Sequence, residues 1–156
     1  LYIAPSHDEL AAEGHLYMDD GQTFAYRDDQ AFLARKFTLT RDGPGHLRLA
    51  STSLTGRDIH TSASSTALQV PGNAYEQETS SVRVERIIVY GLPEVHRIIA
   101  RDAHGHETSL SFTYTSGTSR SPTASDASAR LASRLEIRDP RVLIGQDWSI
   151  LMEIAP

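Results

Sequence analysis

Apolar residues recur at every second position in short runs along this chain, and clusters of Gly, Pro, Asp and Ser separate the runs, the pattern of β-strands with one buried face. The segment GHLYMDDGQTFAY predicts a strand over 15–18, a tight turn at Asp19-Asp20-Gly21 and a resumed strand over 23–26. Residues 31–40, AFLARKFTLT, alternate around Phe37 and Leu39. They end at Arg41-Asp42-Gly43-Pro44-Gly45, before His46-Leu47-Arg48-Leu49 alternates again, which predicts a hairpin. Further on, 82–90 (VRVERIIVY) stops at Gly91-Leu92-Pro93, 95–100 (VHRIIA) reads as its returning strand, and 109–114 (SLSFTY) as a third. These three predict a meander. The last predicted pair is 131–138, with Leu135 and Ile137 on one face, and 147–154, with Trp148, Ile150, Met152 and Ile154 aligned.

About nine short strands with no amphipathic crossover helix predict an all-β fold, an antiparallel β-sandwich with Greek-key-like connections. Two stretches lack this periodicity: a Ser/Thr-rich one over 51–81 and a small, polar one over 115–129. Both are expected to be mobile surface loops, and the second to be the first target of a protease.

Composition narrows the class. A chain of 156 residues buries roughly two-thirds of its unfolded surface as one domain, so it needs no metal or disulfide to fold. With 39% hydrophobic and 22% charged residues and no long apolar run, it is expected to be a soluble globular protein that does not insert in a membrane. The formal charge of −5 comes with no basic block, which argues against a nucleic-acid partner. The absence of cysteine removes thiolate chemistry and cysteine-ligated zinc but leaves the compartment open. The start at Leu-Tyr-Ile-Ala, with no Met and no signal segment, reads as a fragment that begins inside a strand.

Candidate chemistry is sparse. Asp19-Asp20-Gly21 lacks the alternating oxygens and closing Glu of a calcium loop, so it reads as a turn, and Asp28-Asp29 reads likewise. His104-Gly105-His106 could offer two imidazoles to a metal, but a site needs further ligands such as His60 or His96, and Asp102 and Gly105 make the segment a turn. There is no Gly-x-Ser-x-Gly elbow and no pair of carboxylates placed for glycosidic hydrolysis. Tyr17, Phe24, Tyr26, Tyr90, Tyr114 and Trp148 could stack on a sugar, but most fall at in-facing positions and are expected in the core, with Tyr75 exposed. Asn73 precedes Ala74-Tyr75 and is no glycosylation acceptor. The expectation is therefore that the chain holds no catalytic, metal or cofactor-binding residue.

Three segments carry a family resemblance: GHLYMDDGQTFAYRDDQAFLARKFT, VRVERIIVYGLPEVHRIIA and RDPRVLIGQDWSILMEI. Gly14, Leu16, Tyr17, Asp19, Asp20, Gly21 and Phe24 fill a Gly-x-Leu-Tyr-x-Asp-Asp-Gly stretch with its following aromatic, and Arg35-Lys36-Phe37 resembles its Arg-Arg-Phe continuation. Together they resemble the C-terminal end of glycoside hydrolase family 31 α-glucosidases. Val84-Glu85-Arg86-Ile87-Ile88 and Asp147-Trp148-Ser149-Ile150 are similar to the branch that trims N-glycans in the endoplasmic reticulum lumen.

The resemblance implies a distal C-terminal β-sandwich over 6–156, with 1–5 the end of a proximal β-domain. It implies that both catalytic aspartates lie on an upstream barrel, so that none is carried over to this chain. The parent would be a retaining exo-α-glucosidase that removes α-1,3-linked glucose from N-glycans, without metal or organic cofactor. Its implied partners are the remaining barrel and proximal domain, the glycan substrate and a β subunit that bears the retention signal. The ending Glu153-Ile154-Ala155-Pro156, no retention tetrapeptide, fits that division. The residues alone leave one alternative, a freestanding carbohydrate-binding or adhesion sandwich.

Overall fold

A computed structural model describes residues 1–54, 74–117 and 132–155. Most of the two predicted polar loops, together with His60, lies outside the described residues. What is described are ten strands in two sheets packed face to face, the predicted all-β sandwich.

The six-stranded sheet takes the order β2 (Ala12–Met18), β3 (Leu33–Arg41), β4 (His46–Ser53), β10 (Trp148–Ile154), β6 (Val95–Arg101), β7 (Glu107–Ser109), antiparallel throughout. The four-stranded sheet takes the order β1 (Tyr2–Ile3), β5 (Arg86–Tyr90), β9 (Arg134–Arg138), β8 (Phe112–Thr115), with β1 parallel to β5. Two short helices complete the described elements, α1 (Ala25–Asp28) and α2 (Ala74–Glu78). Neither is long and apolar enough to cross a membrane.

Alternation sorts side chains between core and surface as the pattern requires. Leu33, Phe37 and Leu39 of β3 meet Leu47 and Leu49 of β4 and Trp148, Ile150, Met152 and Ile154 of β10 in one cluster. Ile87, Val89, Leu135 and Ile137 from the smaller sheet close it. Each such aliphatic side chain, taken fully from water, contributes about 1.5–3 kcal/mol. The β3–β4 hairpin forms as predicted: Gly43 (φ 93°) and Gly45 (φ 71°) supply left-handed backbone, and the Asp42 N–H donates to the His46 carbonyl at 2.9 Å.

Three sequence expectations fail for one reason: strand alternation does not say which sheet a strand joins. First, β5 and β6 are not a hairpin, because β5 pairs with β9 while β6 pairs with β10. The Gly91-Leu92-Pro93 link instead arches across the core. Gly91 sits at φ 74°, Leu92 is buried, and its carbonyl accepts from the Tyr114 hydroxyl at 3.0 Å and the Ser133 hydroxyl at 2.5 Å. Second, the predicted strand over 109–114 is two strands, since β7 lies in the large sheet and β8 in the small one, with the crossing at Leu110-Ser111. Third, β9 and β10 belong to opposite sheets, joined by an arch that buries Val142 and Ile144.

The strand expected over 23–26 is also absent. Phe24 to Asp28 coil into the single turn of α1, where the Arg27 and Asp28 N–H groups donate to the Phe24 carbonyl. The expected loop over 51–81 begins as ordered strand, for Ser51 to Ser53 belong to β4 and Ser51 is buried, and α2 with a following turn makes up its last part. Thr115, expected to open the second loop, closes β8.

Candidate docking surface

Strand β2 is an edge of the large sheet, and the connection from its end to β3, residues 19–32, gathers aromatic side chains at the surface. The path begins with paired aspartates. Asp19 Oδ1 accepts from the Gly21 N–H at 2.8 Å, and Asp20 accepts from the Gln22 and Thr23 N–H groups and from the Thr23 hydroxyl at 2.6 Å. The Thr23 hydroxyl bond, followed by those backbone donors, holds the Asp20 carboxyl below its ordinary pKa. Gly21 at φ 62° is the expected turn glycine. The turn reading of Asp19-Asp20-Gly21 therefore holds, although the chain leaves it as a helical turn.

That helical turn places the aromatics outward. Phe24 and Tyr26 lie 6.3 Å apart between ring centroids, the Arg27 guanidinium sits 5.6 Å over the Phe24 ring, and Tyr17 stacks on Phe32 at 5.4 Å. Phe24 is 65% and Tyr17 53% exposed, and Tyr26 is exposed as well, so the core positions expected for all three are corrected. Tyr75 is corrected in the opposite sense. It packs against the core from α2, and its hydroxyl donates to the Asp19 carbonyl at 2.9 Å. Trp148 is buried as expected, while Tyr90 and Tyr114 are partly buried. Desolvation, followed by a hydrogen bond with Asp19, raises the Tyr17 phenol above its ordinary value. Phe32 was no candidate in the sequence; its placement eight residues before Thr40, one short of β3, gave no sign that it would return to Tyr17.

On the inner side of the same edge strand, an open groove of about 320 Å³ runs between β1 and β2. Leu1, Ile3, Ala12, Leu16, Phe37 and Leu39 give it apolar walls. Groove and aromatic cluster thus flank the same edge strand on its two faces, with the exposed Glu13 and His15 between them.

The chain's other candidates are occupied locally. Asp102 accepts from the His104 and His106 N–H groups at 2.9 Å and meets the His106 ring at 3.1 Å, which makes 102–106 the expected turn. The His106 backbone bond is the main favourable cause of its lowered carboxyl pKa. His96 stands on β6, and among the described residues no three His, Asp or Glu side chains gather as a metal-binding group.

No family model matches the chain. Human neutral α-glucosidase AB is 25% identical to it over 150 residues, which takes in 96% of this chain but 12% of the human protein. Crystal structures of the glucosidase II α subunit superpose with TM-scores of 0.69 for a DNJ-bound form and 0.68 for a Glc1Man2-bound form. Both are 22% identical and cover 97% of this chain and 14% of the subunit. The resemblance read from three motifs thus extends over nearly the whole chain, it falls on the C-terminal part of these glucosidases, and the shared fold is their β-sandwich.

Proposed function

We propose that this chain is the non-catalytic C-terminal sandwich of a retaining α-glucosidase similar to the glucosidase II α subunit, and that its work is to seat on the rest of that polypeptide. One observation carries the reading: the match takes in 96% of this chain against 12% of the human protein. In this reading 1–5 are the end of a proximal β-domain, which pairs through β1 with β5 of the distal sandwich formed by 6–156. The parent hydrolyses α-1,3-linked glucose from N-glycans of nascent glycoproteins in the endoplasmic reticulum lumen, alongside a glucosidase II β subunit. Its attacking carboxylate and its proton donor lie outside this chain, and no cofactor takes part.

The fates of the carboxylates support a structural role. Asp19, Asp20 and Asp102 hold backbone N–H groups, Asp147 holds Arg35, and Glu136 holds arginines. The surroundings of β2 support the docking role, because exposed aromatic side chains and an apolar-walled groove beside an edge strand suit a surface that the parent covers.

The test compares three preparations for glucose release from an α-glucoside: the whole polypeptide, the chain alone, and the whole polypeptide with Tyr17, Phe24 and Tyr26 changed to Ser. Activity is expected in the first, none in the second, and reduced thermal stability of the assembly in the third. Glucose release by the chain alone would refute the reading. The same exposed aromatics favour one rival, a sugar-binding module. A glycan bound by the isolated chain, and lost with Tyr17 and Phe24, would establish it.

A further inference from the structure

The outer face of the small sheet carries a different surface. Across the β5–β9 ladder Arg86 stands opposite Arg138, Ile88 opposite Glu136, and Tyr90 opposite Arg134. These alternate with the core-facing Ile87, Val89, Leu135 and Ile137, so all six share the outer face. At its centre Glu136 has a side chain only 7% exposed. Its Oε2 takes Arg134 at 2.6 Å, and its Oε1 takes Arg138 at 2.8 Å and Arg86 at 3.4 Å. Burial works to raise the Glu136 pKa, but the Arg134 and Arg138 hydrogen bonds outweigh it and hold the group below its ordinary value, as an anion at neutral pH.

One carboxylate does not saturate three guanidiniums. Each carries five N–H donors, and the Arg138 side chain remains 73% exposed. Among the described residues, three positive charges around one negative give this cluster a surplus of two, in a chain whose formal charge is −5. The anchoring carboxylate also fixes the planar forks in place before any ligand arrives, which lowers the entropy lost on binding.

From this surplus we propose that the outer face of the small sheet is a docking site for an acidic segment, rich in Asp and Glu, of a separate partner chain. Arginine forks match carboxylates bidentately, and arginine clusters are a recurrent device for binding acidic motifs. A charged, solvated surface suits a partner that comes and goes, whereas surfaces permanently buried within one polypeptide are apolar, like the walls of the groove beside β2. The inference rests on the arginine geometry and stands whether or not the parent is a glucosidase.

The test uses the whole polypeptide that contains the chain, titrated with a fluorescent deca-glutamate peptide and read by anisotropy at low salt. Saturable binding is expected, weakened about tenfold or more by the double variant R86Q/R138Q and weakened by added sodium chloride. Arg138→Lys keeps the charge but loses the fork, so an intermediate loss is expected even if the double variant fails to fold. Absence of binding, or binding undiminished in both variants, would overturn the proposal. So would tighter binding of phosphatidylserine vesicles or an oligonucleotide, which would assign the face to another class of anion.

Discussion

Arg35 and Glu136 are the two charged residues buried among those described, and they solve the same problem with opposite signs. Arg35, 1% exposed, spends its donors inside the chain. It reaches the Ser51 hydroxyl at 3.0 Å, the Gly145 and Gln146 carbonyls at 3.4 and 2.6 Å, and Asp147 at 2.7 Å. Asp147 also accepts the Ser53 N–H at 3.0 Å, so the cluster ties β3 and β4 to the arch that leads into β10. Around Glu136 the acceptor is at the centre and the donors are outside. Its two oxygens are taken, while the arginines keep N–H groups turned to water. A central guanidinium consumes the acceptors around it and closes the network; a central carboxylate leaves donors over and keeps the network open to a ligand. The first cluster is a stitch, and the second is a prepared surface.

Removing the stitch gives the largest expected effect. Arg35→Met keeps much of the volume but leaves the part-buried Gly145 and Gln146 carbonyls and the buried Ser51 hydroxyl without their donor, which costs about 2 kcal/mol. Urea denaturation followed by circular dichroism measures it. A loss below about 1 kcal/mol would show that the cluster does not hold the arch. Asp147→Asn is the milder break. Asp147 is 61% exposed, so water screens the charge that is lost, and the amide oxygen still accepts from Ser53 and Arg35. About 1 kcal/mol or less is expected by the same measurement. A cost equal to that of Arg35→Met would mean that the ion pair, and not the carbonyl bonds, carries the stitch.

Much of this sandwich could be read from the residues in order. The Asp19-Asp20-Gly21 and 41–45 turns announce themselves through side chains that bond their own backbone and through glycines that accept positive φ. The in-facing sets at Phe37 and Leu39 and from Trp148 to Ile154 follow from period-two alternation. Sheet membership does not, because Leu92 beneath an arch and a residue in a hairpin loop look alike locally; what separates them is pairing with residues far along the chain. The exposure of Tyr17 and Phe24 was hidden for a related reason. They alternate as core residues would, and only the coil of α1 and the edge position of β2 turn them out. The two charged clusters carried a weak sign. Arg134, Glu136 and Arg138 are spaced by two, so they share one strand face, but the third arginine comes from β5 and the burial of Glu136 comes from the assembled sheet.

The smallest expected effect concerns that carboxylate itself and is read best as a titration. Because the folded chain lowers the pKa of Glu136, the group favours the native state above the ordinary glutamate value, and that contribution is lost as pH falls through the lowered folded value. The sign follows from proton counting: between the two values the unfolded chain binds a proton that the folded chain does not, so stability rises with pH in that window. The carboxyl carbon resonance of Glu136 is therefore expected to titrate below the ordinary glutamate value, and to move back towards it in Arg134→Gln, whose wild-type guanidinium makes the shortest bond to it. Added salt is expected to shift the midpoint only slightly, since the carboxylate lies beneath its arginines, whereas the same salt weakens peptide binding on their outer side. A midpoint at or above the ordinary value would mean that burial prevails over the three guanidiniums, and the arginines would then be crowding one another with no anion at the centre to organise them.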